Sequence, residues 1–387
     1  MRKGINKLTQ KHANRGLVFQ LLAVGDADSR IALARRTRLS KMALSNIISE
    51  FLERDLVREP EDAVRGTRSN PIALSLSPNA PKILGIMIQR RGCRASVCDF
   101  SMRILDSEQR HLPDPFDGDL LTRTLFDITD RLLARHPDIL GIGIGSIGPV
   151  DIHRGVILNP PDFQGITDLP IRRLFEQRYP LPVALEHHYN CAALTESLYG
   201  SGRGFENLLY VGLSSGIGMG VISGGRLSSD NTGLASEFGH VSVNFDGPVC
   251  RCGNRGCLEA YASVDAIVRE AAALPQVPPD TDFAGLCRFS HVPEVDRLLT
   301  QRILRPLSSA LCSAVNLLNP DLILLGDEAA ALPDDYYRRL EQALSGMILS
   351  RDYHRVIVGR PAFSAEFNAA MCAISIIQQV FQGDLPV

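Results

Sequence analysis

One histidine and three cysteines, His240, Cys250, Cys252 and Cys257, stand at the spacing H-x9-C-x-C-x4-C inside the stretch Glu237 to Glu259. Four soft ligands of this kind make up a Cys3His set, the closed shell typical of structural zinc, and metal binding offsets the entropy lost in ordering a short polar loop. Gly253 and Gly256 permit the tight turns that would bring Cys252 and Cys257 back to one ion. Two carboxylates bracket the ligands without being needed for the metal. Glu237 and Glu259 each lie within three residues of a ligand, so a clamped loop would present them as fixed acceptors for the hydroxyl groups of a small molecule. His240 can bind metal through one ring nitrogen and donate through the other.

The elements that must position these groups belong to a chain of 387 residues, long enough for two or three domains. Hydrophobic content of 45% and charged content of 22% suit a soluble globular protein. The N-terminus lacks the apolar core of a signal peptide, and no apolar run reaches the roughly 18 residues of a membrane span. A cytoplasmic location without a membrane partner is therefore expected. Cys93, Cys98, Cys191, Cys287, Cys312 and Cys372 are scattered among apolar neighbours, as reduced core thiols would be.

Net charge of −2 hides an asymmetry: residues 1–80 carry 14 Lys and Arg against 8 Asp and Glu, and only this segment looks built to meet a polyanion. Asn14 is the expected cap of a first helix reaching Val24, with Leu17, Val18, Leu21 and Leu22 on one face. A second helix follows Ser29 and turns Ile31, Leu33 and Ala34 inward. In a third, capped by Ser40, the stripe Leu44, Ile47, Ile48, Phe51 and Leu52 leaves Lys41, Met42, Ser45, Asn46 and Ser49 outside. Short polar side chains on such a face can reach base edges in a major groove. Arg35, Arg36, Arg38 and Lys41 cluster before that helix. Strands near Leu56 to Glu59 and Ile72 to Leu76 would hold Arg65 and Arg68 at a wing tip, as phosphate or minor-groove contacts. The pattern predicts a winged helix-turn-helix for double-stranded DNA, and a small dimerisation domain is the bland alternative.

Beyond residue 80 the runs Lys82 to Gln89 and Cys93 to Phe100 predict a hairpin, followed by a strand near Ile104, a helix from Asp119 to Arg135 and the glycine-rich strand I-L-G-I-G-I-G-S. The plan restarts at Asn207, which predicts an α/β body of two lobes. Domains are placed at 1–80, at 81–199 with 367–387 packing back, and at 200–366 with the metal loop 237–259.

The segment from Glu237 resembles the signature of the ROK family of bacterial sugar kinases and sugar-responsive repressors, whose E-x-G-H and C-x-C-G-x-x-G-C-x-E elements hold zinc and contact the sugar. That resemblance implies a duplicated actin-like, ribonuclease H-like ATPase fold, preceded in the repressors by a winged helix. It also marks departures from the family's kinases. Their first hairpin carries D-x-G-G-T, where this chain has Ile88, Gln89, Arg90, Arg91 and Gly92. Their E-N-D-x-N-x-A-A run, with Asp as general base, corresponds here to Glu186, His187, His188, Tyr189, Asn190, Cys191, Ala192 and Ala193. A glycine loop survives as Ser214 to Gly218, and Asp327 replaces the second glycine of a Gly-Gly pair. With magnesium carboxylate and base both replaced, phosphoryl transfer is not expected, and a DNA-binding sugar kinase is the alternative.

The implied task is sensing a sugar, sugar acid, sugar phosphate or polyol through Gly148, Asn159, His187, His188, Glu237, His240 and Glu259. For the two histidines a plain packing pair at a strand end is the competing reading, and protonated imidazoles would favour a negatively charged effector. Effector binding would shift a homodimer or homotetramer between states of different operator affinity.

Overall fold

The structure, a computed structural model, describes residues 7–59, 73–228, 234 and 236–386. It opens with helices α1 (Lys7–Ala23), α2 (Arg30–Thr37) and α3 (Lys41–Glu53), then short strands β1 (Val57–Arg58) and β2 (Ser75–Leu76), antiparallel with Val57 opposite Leu76. The hydroxyls of Ser29 and Ser40 accept from the amides of Ala32 and Ala43, at 3.4 and 3.2 Å, and so satisfy an orphan donor at the start of α2 and of α3. Helix α1 begins at Lys7, well before Asn14, because K-L-T-Q-K-H-A contains no helix breaker and carries the helix upstream. Its phase also differs from the sequence reading: Phe19 is fully buried whereas Leu17 is exposed, and in α2 Ile31 is exposed and Leu33 buried. Phe19 accounts for the rotation, since its ring meets Phe51 of α3 and Phe100 edge-on, with centroids 5.6 and 4.8 Å away.

Next come strands β3 (Lys82–Gln89), β4 (Gly92–Cys98) and β5 (Ile104–His111), helix α4 (Gly118–Arg135), strand β6 (Ile139–Ser146), a small hairpin of β7 (Val150–Asp151) and β8 (Val156–Ile157), helix α5 (Ile171–Arg178) and strand β9 (Val183–His187). A second series follows, with α6 (His188–Tyr199), β10 (Leu208–Leu213), β11 (Ile217–Ser223), β12 (Arg226–Leu227), α7 (Leu258–Ala262), α8 (Val264–Ala271), α9 (Phe283–Arg288), α10 (Pro293–Leu299), α11 (Arg305–Leu318), β13 (Leu322–Asp327), α12 (Asp334–Met347) and β14 (Ile357–Gly359). Helices α13 (Asn368–Cys372) and α14 (Ile374–Gln382) close the chain.

The two five-stranded sheets have the orders β5-β4-β3-β6-β9 and β12-β11-β10-β13-β14. In each, an antiparallel meander is extended beyond its first strand by two further strands, so the sheets repeat one topology, as expected of a duplicated body. Strands β10 and β13 run parallel and are almost wholly buried, which explains their continuous apolar composition.

Two compact units result. One comprises Met1–Gly145, Pro170–Leu185 and Ala369–Val387, and the other Ser146–Leu169 and Glu186–Asn368. In the first, Gly85 and Gly143 allow β3 and β6 to approach the carbonyls of Ala369 and Cys372 so closely that a Cβ would collide with them. Gly16 does the same against Phe381, so α1 lies directly on α14 and the three-helix module shares a compact unit with the first sheet. In the second, apolar residues of β10, β11 and β13 pack with Phe238, Leu258, Ile267, Leu286, Leu307 and Leu311. Among the described residues no helix is long and apolar enough to cross a membrane.

Candidate metal centre and ligand site

The segment that carries the four soft ligands is anchored at both ends in the core of the second unit. Phe238 begins a 3-10 turn that ends at His240, and Leu258 begins α7; both side chains are buried. Between them the backbone folds on itself, with the Cys250 amide donating to the Asn254 carbonyl (2.7 Å), the Gly253 amide to Cys250 (2.9 Å) and the Leu258 amide to Val241 (2.9 Å). Gly253 and Gly256 adopt φ of 90° and 66°, the left-handed region that side chains resist.

This folding brings His240 Nδ1 within 3.6 Å of Cys250 Sγ, and Cys252 Sγ within 3.7 Å of Cys257 Sγ. All four ligand atoms lie within 4.8 Å of one another. Bonds of about 2.0–2.3 Å in a tetrahedron give ligand separations of about 3.3–3.8 Å, so the group could hold a metal ion with little adjustment. His240 faces it through Nδ1, which leaves Nε2 for another partner.

Around this centre, Gly148, His187 and Glu237 converge. A Cβ placed on Gly148 would lie 2.7 Å from the His187 ring and 2.8 Å from Glu237 Oε1, so only glycine leaves both side chains where they stand. His187 is the N-cap of α6, its Nδ1 accepting from the Tyr189 amide at 3.3 Å, which puts the ring proton of the neutral imidazole on Nε2. Burial holds the His187 pKa well below its ordinary value, and the neighbouring His188 adds to the effect. That direction disfavours the protonated, anion-attracting form at this position. His188 turns aside, its Nδ1 lying 2.9 Å from the Ser146 carbonyl. Burial raises the pKa of Glu237, with His240 opposing that shift and Glu259 adding to it. Asn159 is exposed and has no described hydrogen bond to this group.

Glu259 is 4% exposed and already engaged. One carboxylate oxygen accepts from the Ile217 amide at 3.0 Å, the other from Arg251 at 3.1 Å, and Arg251 pairs in addition with Asp162. Arg251 and Asp162 were not singled out in the sequence. Their one local signal is that Arg251 sits between two metal-type ligands, which fixes its backbone.

Tyr189 packs on the facing glycines of β10 and β11 beside the loop that joins them. A Cβ on Gly212 or Gly218 would strike its ring, and its hydroxyl donates to Asp327 Oδ2 at 2.9 Å. Asp327 holds φ of 52°, and burial pushes its pKa up to about 6.

In the N-terminal module, Lys41, Met42, Ser45, Asn46 and Ser49 are all exposed, opposite the buried Leu44, Ile47, Ile48 and Phe51. Arg35 and Arg36 occupy the last turn of α2, and Arg38 is its left-handed C-cap; all three are exposed. Arg65 and Arg68 lie outside the described residues.

This architecture has known counterparts. The chain is 24% identical over 356 residues to the xylose repressor of Caldicellulosiruptor bescii, covering 88% of this chain and 89% of that one. It is 28% identical over 393 residues to the DNA-binding transcriptional repressor Mlc of Escherichia coli, with 97% and 95% covered. Among solved structures, a ROK family transcriptional regulator homologous to E. coli Mlc aligns with a TM-score of 0.82 at 23% identity, covering 97% of this chain and 98% of that one. The ROK hexokinase of Thermus thermophilus aligns with a TM-score of 0.64 at 32% identity, covering 76% and 97%. The ROK family model itself matches residues 83–380, nearly all of the α/β body, and the chain belongs to the ROK family.

Proposed function

We propose that the chain is a DNA-binding transcriptional regulator, a repressor by kinship, whose ROK body senses a sugar or sugar-derived effector. The observation that carries this reading is the presence in one chain of an exposed polar helix face behind a cluster of arginines and of a ligand-type cluster built on Gly148, His187 and Glu237. Repressors among the relatives support the first half, and the xylose named for one of them supports the second. His240, Cys250, Cys252 and Cys257 would hold zinc by the chemistry of these donors, in a structural role, since four protein ligands leave no open position.

In the unit that holds the cluster, a neutral His187 offers Nε2–H as a donor while Glu237 offers acceptors, the pairing that a polyhydroxylated molecule satisfies. Ligand binding then shifts the population between states that differ in operator affinity. Kinship with a hexokinase favours a phosphoryl-transfer reading, and Tyr189 weighs against it. Its ring lies on Gly218 of the surviving glycine loop.

The test combines selection of bound genomic fragments with a thermal-shift screen of monosaccharides, sugar acids, sugar phosphates and polyols. Salt-sensitive binding to a palindromic site is expected, weakened at least tenfold when Arg35, Arg36 and Arg38 are replaced by alanine, and altered by a stabilising sugar. Nucleotide consumption with any sugar of the panel, together with no DNA recovered, would replace the regulator by a kinase.

A further inference from the structure

Residues 158–168 form a closed loop in the second unit. At its neck Ile157 and Leu169 exchange amide bonds of 2.9 Å, the Asp168 amide donates to the Leu158 carbonyl at 2.7 Å, and the Leu158 amide donates to the Pro149 carbonyl at 3.0 Å. That last bond sets the neck one residue from Gly148, on which His187 and Glu237 converge. Within the loop, Asp162, Gln164 and Asp168 hold φ of 54°, 55° and 50°, a region that residues other than glycine enter only when their surroundings hold them there.

Arg251 ties the outer part of this loop to the metal segment. Its Nη1 donates to Asp162 and its Nη2 to Glu259 at 3.1 Å, and Glu259 in turn accepts from the Ile217 amide at 3.0 Å. An exposed ion pair ordinarily holds little, because two flexible side chains must be ordered to form it. Here much of that ordering is done beforehand. Arg251 stands between Cys250 and Cys252, two of the four ligand-type residues, and its second nitrogen rests on a carboxylate that is 4% exposed. The planar fork of arginine can serve both carboxylates at once. The signature C-x-C-G-x-x-G-C-x-E leaves position 251 open, so nothing in it requires an arginine there.

We propose that Arg251 is a positioning residue. It fixes the 158–168 loop, and through Pro149 the Gly148 side of the ligand cluster, in a place that depends on metal at His240, Cys250, Cys252 and Cys257. Loss of the metal then frees this loop as well as the metal segment. That the loop bears on effector binding rests on the sugar-sensing reading above.

Hydrogen exchange read by mass spectrometry on the full chain tests it, with zinc loaded and after dialysis against a chelator. In the unsubstituted chain, zinc removal is expected to speed exchange of residues 162–167, where the Ile166 amide donates to the Phe163 carbonyl, by about two- to fivefold. In Arg251→Ala the same residues are expected to exchange that fast with one zinc per chain still bound, and chelation adds nothing. Arg251→Lys, which can still pair with Asp162, should restore part of the zinc dependence. Strand β10 should exchange alike in every case. Should Arg251→Ala fail to take up zinc, Asp162→Ala, outside the metal segment, carries the same expectation. Exchange at 162–167 that ignores zinc in the unsubstituted chain, zinc dependence that survives the alanine substitution, a lysine variant no different from alanine, or β10 speeding up to the same degree would overturn the assignment. The experiment needs neither sugar nor DNA: a chain that shows the expected pattern and binds neither sinks the regulator reading and leaves the tether standing.

Discussion

Replacing Glu259 by alanine or by glutamine separates two roles that its position allows. In the structure the carboxylate is a strut: it accepts from the buried Ile217 amide and from Arg251. Alanine leaves the Ile217 N–H without a partner, at a cost of about 1–3 kcal/mol, and removes a buried methylene worth about 0.8 kcal/mol. Glutamine keeps an oxygen for Ile217 but turns an amide NH2 toward Arg251, so the hydrogen bond from Arg251 is lost together with the charge. The Arg251 side chain is 48% exposed and keeps Asp162, so solvent screening limits that loss to about 0–1 kcal/mol. The alanine variant should therefore be less stable than the glutamine variant by about 2–4 kcal/mol. At about 2–4 °C per kcal/mol for a unit of this size, the midpoints separate by at least about 4 °C. Differential scanning calorimetry of the metal-loaded chain measures this directly. Equal midpoints, or glutamine falling as far as alanine, would mean that charge on Glu259 rather than an acceptor for Ile217 holds the β11 loop.

Two further outcomes follow from the same geometry. Substituting Cys257 by serine removes a ligand that is fully buried; dialysis against a chelator should then strip the metal completely, and amide exchange should speed up across residues 241–256 while Phe238 and Leu258 keep their surroundings protected. Native mass spectrometry showing one zinc per chain in that variant would contradict the ligand set. Burial raises the Asp327 carboxyl to about 6 from 3.8; burial, with Asp327 adding, raises Glu328 to about 7 from 4.5. The folded chain keeps these protons where the unfolded chain has lost them, so their contribution is full below pH 3.8 and fades as pH rises to about 7. The Asp327→Asn, Glu328→Gln double variant should flatten that decline in urea-unfolding midpoints, and an unchanged slope would show that other groups set it.

Much of the site was legible because its residues are close in the chain. His240 to Cys257 span a single loop, and glycines at 253 and 256 are needed wherever a chain must turn back on one ion, so spacing alone was sufficient. The helix caps Ser29 and Ser40 were legible for the same reason, each cap and the donor amide it accepts from being local. Tertiary packing decided the rest. Leu17 and Phe19 are both apolar, and only the rings of Phe51 and Phe100 determine which of them turns inward.

The amino-acid sequence by itself determined a metal-type ligand set, a polar-faced third helix and a twice-repeated strand order, since each is written in short-range spacing and periodicity. Tertiary structure alone decided that Glu259 is held by Ile217 and Arg251, that Tyr189 lies over Gly212 and Gly218, and that burial lowers the His187 pKa. Those outcomes depend on desolvation and on contacts between residues far apart in the chain, and neither quantity exists until the fold has excluded water.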